Sequence, residues 1–393
     1  MVHVRKLHPT GAFGSSQLTA GNTAPNRMKV LCDREKLRAG LAIVNTVVPA
    51  RSPKPILDNV RFVATESALE LIGTDLEVSV RYSITDVKVG EPGVAVIPAR
   101  VALDFIRDLN SETIEIEVEN NLCSITGGAD SCELVTMDSD EFPVTPHFDE
   151  KGALSVQAGV FTRLVGQTAF AAAREAGRYA MHGVLVTVQD ENLQMVGTDG
   201  RRLALSSFPI QDIPGEISPA IVPTKGLQLF CRVIDDPLSQ VQVKFSENQI
   251  GMRTANAEIF ARLIDGDFPR YSDVIPSQSS ISIEANTELL SRKLRLVSNV
   301  TGNEARAVRL KLDRGELELH GQSIGRGEAH AHMEIEYSGE KAEIAFNPDY
   351  VLDGIKNAEH ETIRLEFNDK GSPCKFTLGE SYIYIVMPIT VDS

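Results

Sequence analysis

Leu69-Glu70-Leu71-Ile72-Gly73-Thr74-Asp75 returns as Leu193-Gln194-Met195-Val196-Gly197-Thr198-Asp199. A weaker third copy reads Leu317-Glu318-Leu319-His320-Gly321-Gln322-Ser323, and its glycine keeps the same 124-residue step. Val60, Val184 and Val308 repeat with that step as well. A second marker, an apolar strand followed by proline, reads Val96-Ile97-Pro98-Ala99-Arg100, then Ile221-Val222-Pro223-Thr224-Lys225, then Ala345-Phe346-Asn347-Pro348-Asp349. Proline at a first helical turn loses no hydrogen bond, so each marker is a strand-to-helix junction. Phe142-Pro143 and Phe268-Pro269 close the first two copies. A shared period of this length means three similar domains, too long for solenoid units.

The copies span 28–148, 152–277 and 281–393. Within each, alternating runs such as Thr113-Ile114-Glu115-Ile116-Glu117-Val118 predict half-buried strands, and two amphipathic stretches predict helices. The class is α+β, with antiparallel sheets and two helices per domain. Residues 1–27 stand apart. They hold Arg5, Lys6 and Arg27, no acid and no apolar signal-like core, and read as a disordered leader or a misassigned start before Met28-Lys29-Val30.

The 393 residues are 42% hydrophobic and 24% charged, an ordinary globular balance, with no apolar run long enough for a membrane span. Five cysteines without a CxxC pair argue against a disulfide framework and for a reducing cytoplasm. A net charge of −15 argues against nucleic acid as a partner, yet a sum over the whole chain does not exclude one basic concave surface.

That surface is suggested by the helices. After Pro98, Ala102, Phe105, Ile106 and Leu109 form an apolar stripe while Arg100 and Arg107 take the opposite face. After Pro223, Leu227, Phe230, Cys231 and Ile234 repeat the stripe, with Lys225 and Arg232 outside. In the third copy Tyr350 and Asn357 occupy these places. The first helices behave alike: Leu37, Leu41, Val44 and Val48 face in beside Arg34, Lys36 and Arg38, and Leu290, Leu294 and Val297 face in beside Arg292 and Arg295. Cations recurring at equivalent positions in an acidic chain suit backbone phosphates and sequence-independent contact. No clustered base-reading side chains or aromatic platforms accompany them.

Catalytic patterns are missing. The chain has no GxxxxGK[ST], no strand-borne GxGxxG and no HExxH, and the Gly-Thr-Asp triplets reverse the order of an aspartic-protease loop. His330 and His332 share a strand face without a third and fourth ligand, so neither a metal nor a cofactor is expected. The competing reading, a hydrolase on an unfamiliar repeat fold, has no acid, base and nucleophile to support it.

The GTDLE and GTDGRRLA segments, the PAR and PTKG helix starts, FPRYSDVIP and the terminal Tyr384-Ile385-Val386-Met387-Pro388-Ile389 resemble the bacterial DNA polymerase III beta subunit, the sliding-clamp family, from Met28 onward. The resemblance implies a DNA-clamp fold and a head-to-tail homodimer ring around double-stranded DNA. It implies DNA contacts at Arg51, Arg100, Tyr179 and Lys225. It further implies a peptide groove between the second and third domains that serves the DNA polymerase III alpha subunit, the clamp loader, other polymerases and repair proteins. Matching groove positions are Arg178, Met181, Thr198, Gly200, Arg201, Arg202 and Leu203, then Pro269 and Val274, then Asn347, Tyr350, Val386, Met387, Pro388 and Ile389. Leu203, Val386 and Met387 are its expected floor. Asp273 and Ala180 stand where relatives often carry a basic and an aromatic residue.

Overall fold

A computed structural model of the chain describes residues 27–175, 179–215, 217–302 and 306–390, with Tyr179 described by its backbone alone. Of the expected leader only Arg27 falls within these residues, and it opens the strand Arg27–Asp33. The six helices among the described residues are α1 (Arg34–Val44), α2 (Ala99–Asp108), α3 (Ala158–Thr168), α4 (Thr224–Arg232), α5 (Thr287–Ser298) and α6 (Pro348–Ile355). They come two to each repeat, and the two of each pair pack on one another.

Local chemistry sets where they begin. The Asp33 carboxylate accepts from the Lys36 N–H and the Asn286 side chain from the Leu289 N–H, satisfying donors that a first turn leaves open. Pro98 and Pro223 sit one residue earlier than the sequence suggested, as capping residues that also end their strands, whereas Pro348 opens α6 itself. α1 stops at Val44, so Val48 packs from beyond its end, and Ile234 likewise lies beyond α4.

Four antiparallel sheets of five, eight, eight and four strands carry the helices. The two large sheets cross between repeats. Val78–Ile84 of the first repeat pairs with Ala257–Arg262 of the second, with Val80 opposite Ile259. Arg202–Pro209 of the second pairs with Tyr382–Val386 of the third, with Ala204 opposite Tyr384. Polar contacts reinforce the second junction: the Gln167 side-chain amide donates to Glu359 at 3.0 Å, and Ser206 Oγ donates to Gln167 at 2.6 Å.

The repeated Gly-Thr-Asp now has a backbone explanation. Asp75 Oδ1 accepts the N–H groups of Glu77 and Val78, and Asp199 Oδ1 those of Arg201 and Arg202, which closes a tight turn between two strands. Thr74 and Thr198 donate their hydroxyls four residues on, to Val78 and Arg202 carbonyls. The glycines pass under the C-terminal ends of the first helices. A Cβ on Gly197 would lie 2.2 Å from the Thr168 carbonyl oxygen, and one on Gly321 would lie 2.4 Å from that of Val297.

Candidate functional site

At the second junction the Asp199 turn stands beside the strand Tyr382–Val386, and the segment around Pro269 folds over both. Leu203 lies opposite Ile385 in the ladder, and the Met387 N–H donates to the Arg201 carbonyl at 2.9 Å. Between them opens an apolar cavity of about 100 Å³. Leu203, Ile385 and Met387 form its floor; Pro269, Tyr271 and Val274 form one wall, and Met181, Thr198 and Gly200 the other. Val274 and Met387 are exposed apolar side chains, at 42% and 37%. Gly200 turns with φ +84°, a left-handed conformation that glycine adopts without strain.

A wider, more polar cavity of about 230 Å³ adjoins the first through Arg201 and Arg202, and is lined also by Ala172, Arg174, Glu175, Asp199 and Tyr350. Arg202 separates the two. Its guanidinium is 3.0 Å from Asp199 Oδ2 and 2.7 Å from Asp353 Oδ2, and donates to the Phe170 carbonyl at 3.0 Å. It also lies over the Tyr350 ring at 4.6 Å, so its orientation is fully specified. Arg201 is exposed, and its contact with the Tyr350 side chain holds its guanidinium above its ordinary value. Burial pushes the Tyr271 hydroxyl up, and it donates to Gln194 at 2.7 Å. The result is a short apolar slot beside a charged one, a shape suited to a short linear peptide with an apolar anchor.

Several expected residues take other places. Val386, expected on the floor, is fully buried on the opposite face of its strand, in the core of the third repeat. Alternation in a strand turns Ile385 and Met387 to the groove and Val386 away. Asn347 caps α6 by accepting from the Asp349 N–H, and neither it, Pro388 nor Ile389 lines either cavity. Arg178 lies outside the described residues. Ile385, Tyr271, Arg174 and Glu175 were missed; the first was within reach of the period-two rule.

Arg51, Arg100, Arg107, Lys225 and Arg232 are all exposed. Arg107 is held between Asp104 at 2.7 Å and Asp108 at 3.0 Å, and Lys225 is ion-paired to Asp75. Arg100 and Arg232 make no ion pair among the described residues. The side chain of Tyr179 lies outside what is described.

The first junction has the same topology but a different surface. There Ser79, Phe260 and Arg262 replace Leu203, Ile385 and Met387, and Leu76 replaces Gly200. The cavity it leaves has a mixed lining, with Leu76, Val144 and Phe260 beside Glu77, Thr145, Asn248, Gln249 and Arg262, in place of a mostly apolar slot.

Comparison with known proteins agrees with this architecture. The models for the N-terminal, central and C-terminal domains of the DNA polymerase III beta subunit match residues 28–146, 155–270 and 272–390. The beta sliding clamp of Chlamydia muridarum is 30% identical over 363 residues, 92% of this chain and 99% of that protein. That of Escherichia coli K12 is 30% identical over 366 residues, 92% of this chain and all of the other. The crystal structure of the Pseudomonas aeruginosa DNA polymerase III beta subunit superposes with a TM-score of 0.87 at 29% identity, covering 93% of this chain and all of that one. The Bacillus subtilis sliding clamp gives 0.89 at 26%, with the same coverage. On its three matched domains, its fold and its identity to these proteins, the chain belongs to the DNA polymerase III beta subunit family, the beta sliding clamps.

Proposed function

We propose that two copies of this chain close head to tail into a ring around duplex DNA and hold partner proteins there through the groove at the second junction. The family role is that of a sliding clamp, a processivity factor and not an enzyme. One observation carries the ring reading. Both internal junctions join the strand after the Asp turn to the last strand of the next repeat, leaving two such strands unpartnered. These are Asp130–Val135 at the end of the five-stranded sheet and Gly327–Glu334 at the end of the four-stranded sheet. An unpaired edge is a template for another chain. A second copy supplies both missing partners at once, by two-fold symmetry, and closes six domains of extents 28–148, 152–277 and 281–393.

Exposed cations on α2 and α4, with Arg51, would meet phosphates of any sequence. The apolar slot would take a short motif from the polymerase III alpha subunit, the clamp loader, or other polymerases and repair proteins. No helix among the described residues is long and apolar enough to cross a membrane; a role in bacterial replication supports the reading of a cytoplasmic protein. Sedimentation equilibrium tests the ring: a mass of twice 42.8 kDa is expected, and a monomer at every concentration overturns it.

A further inference from the structure

The edge strand Gly327–Glu334 carries a cluster that neither the groove nor the helices use. His320 and His330 face one another across the ladder, their rings stacked at 12° with centroids 4.4 Å apart. Glu328, two residues before His330 and so on the same face, places Oε2 3.5 Å from His320 Nε2 and 3.7 Å from His330 Nε2. Glu318 Oε1 lies 2.7 Å from His330 Nδ1. A carboxylate there accepts a hydrogen bond from Nδ1–H, fixes the tautomer and leaves the Nε2 lone pair facing the cluster, as behind many metal-bound histidines.

His320 supplies the second observation. It is only 8% exposed, and neither ring nitrogen has a hydrogen-bond partner among the described residues. Buried polar atoms are ordinarily satisfied, so a buried imidazole that makes no hydrogen bond, stacked on a second histidine with its Nε2 3.5 Å from a carboxylate, calls for an explanation. The sequence offered only His330 and His332; folding brings in His320 from the neighbouring strand.

We propose that His320 Nε2, His330 Nε2 and the Glu328 carboxylate bind one divalent transition-metal ion of the zinc class. The three donor atoms lie within 4.8 Å of one another. Bonds of about 2.0–2.1 Å need donors about 3.3 Å apart, within reach of side-chain rotation by exposed Glu328 and His330. Two imidazoles and one carboxylate leave a fourth position open.

That position bears on ring closure, and here the inference rests on the ring reading above. Ser79, Leu203 and Glu328 pair alike with the residue after the repeated glycine, namely Thr74, Thr198 and Gln322. Ser79 faces Phe260 across the first junction. Phe260 is two strands from Lys244, through Gly251, as Glu133 is from Glu117, through Ser124. At the ring seam the same register sets Glu328 opposite Glu133 of the second copy. Facing carboxylates repel across a ladder, and an ion bound between them reverses that sign.

Titrating the metal-free full-length chain with Co²⁺, read by visible absorption, tests the site. One ion per chain is expected, with affinity reduced at least about tenfold in Glu328→Gln and His330→Gln and kept in His332→Gln, an exposed neighbour on the same strand. Absent binding, or equal loss in His332→Gln, overturns the site. Sedimentation with and without Zn²⁺ tests the bridge: dimerisation should tighten in the parent and not in Glu133→Gln. Binding without tightening overturns the bridge. A chain that binds Co²⁺ yet stays monomeric throughout sinks the ring reading and leaves the three-residue site standing.

Discussion

Lys225, in the first turn of α4 in the second repeat, is ion-paired to Asp75 in the turn of the first. Arg100 holds the matching place on α2 and has no such anion among the described residues. Positions equivalent in sequence therefore differ in how freely their charge can meet a phosphate. An exposed pair adds little to stability, but its cation must leave one anion to engage another.

Arg100→Gln and Arg232→Gln should each weaken ring retention on DNA for every sequence alike and lower the log–log salt slope by about 1. Lys225→Gln and Arg107→Gln should lower it by less, because their partners already screen them. Arg100→Glu with Lys225→Glu should lose more, with part of that loss coming from the repulsion placed beside Asp75. Retention on circular DNA over a salt series gives all of these slopes. Equal slopes in the four neutral variants would refute the distinction.

Gly197→Ala should destabilise the chain by about 1–3 kcal/mol, since its new Cβ meets backbone of α3 that cannot rotate away. Gly166→Ala is the control. It lies exposed inside α3 with nothing within 4 Å, and should be neutral or stabilising by up to about 1 kcal/mol. Urea midpoints of the two variants should move in opposite directions.

Gly73, Gly197 and Gly321 made the fold legible because each must pass a helix end, a backbone demand that no other residue meets. Asp75 and Asp199 were equally visible, both closing the same turn. The groove was only partly so. Leu203 and Met387 stood in apolar patterns, whereas Arg174 and Glu175 follow α3 in a stretch without periodicity. Pairs such as Lys225 with Asp75, or Arg202 with Asp353, join residues 150 and 151 positions apart and leave no trace in local sequence. Asn347, given as a groove position by the resemblance, caps α6 instead, a bond that only the folded backbone reveals.

Stability should fall in alkali. Burial pushes the Cys32 and Cys123 thiols up to about 12 and the Cys231 thiol to about 11. An unfolded thiol ionises near 8.5. Above that pH the unfolded chain has lost protons that the folded chain retains. The stabilisation is complete below about pH 8 and is lost towards pH 11, at about 1.4 kcal/mol per thiol per pH unit. Urea midpoints at pH 8, 9 and 10 should show this decline, and Cys123→Ala should flatten it by one thiol's share.

Met387 is where the groove's binding energy should concentrate. It is the exposed end of a floor whose other members, Leu203 and Ile385, are buried and already in contact with the core. A short peptide covers few side chains, so a handful of anchors must carry most of its affinity. An unbranched thioether can also reshape itself for different anchors. Met387→Ala should cost about 1–3 kcal/mol of peptide affinity, and Met387→Asp should abolish polymerase stimulation by placing a charge in an apolar slot. Gly200→Leu should act similarly from the opposite wall, because it fills the slot and forces a branched residue to positive φ. None of the three should alter dimerisation, since the free edges Asp130–Val135 and Gly327–Glu334 belong to other sheets. Fluorescence anisotropy of a labelled clamp-binding peptide, beside sedimentation of the same variants, separates the outcomes. Unchanged affinity in Met387→Asp would place the site elsewhere, and a fall to monomer would make Met387 a structural residue.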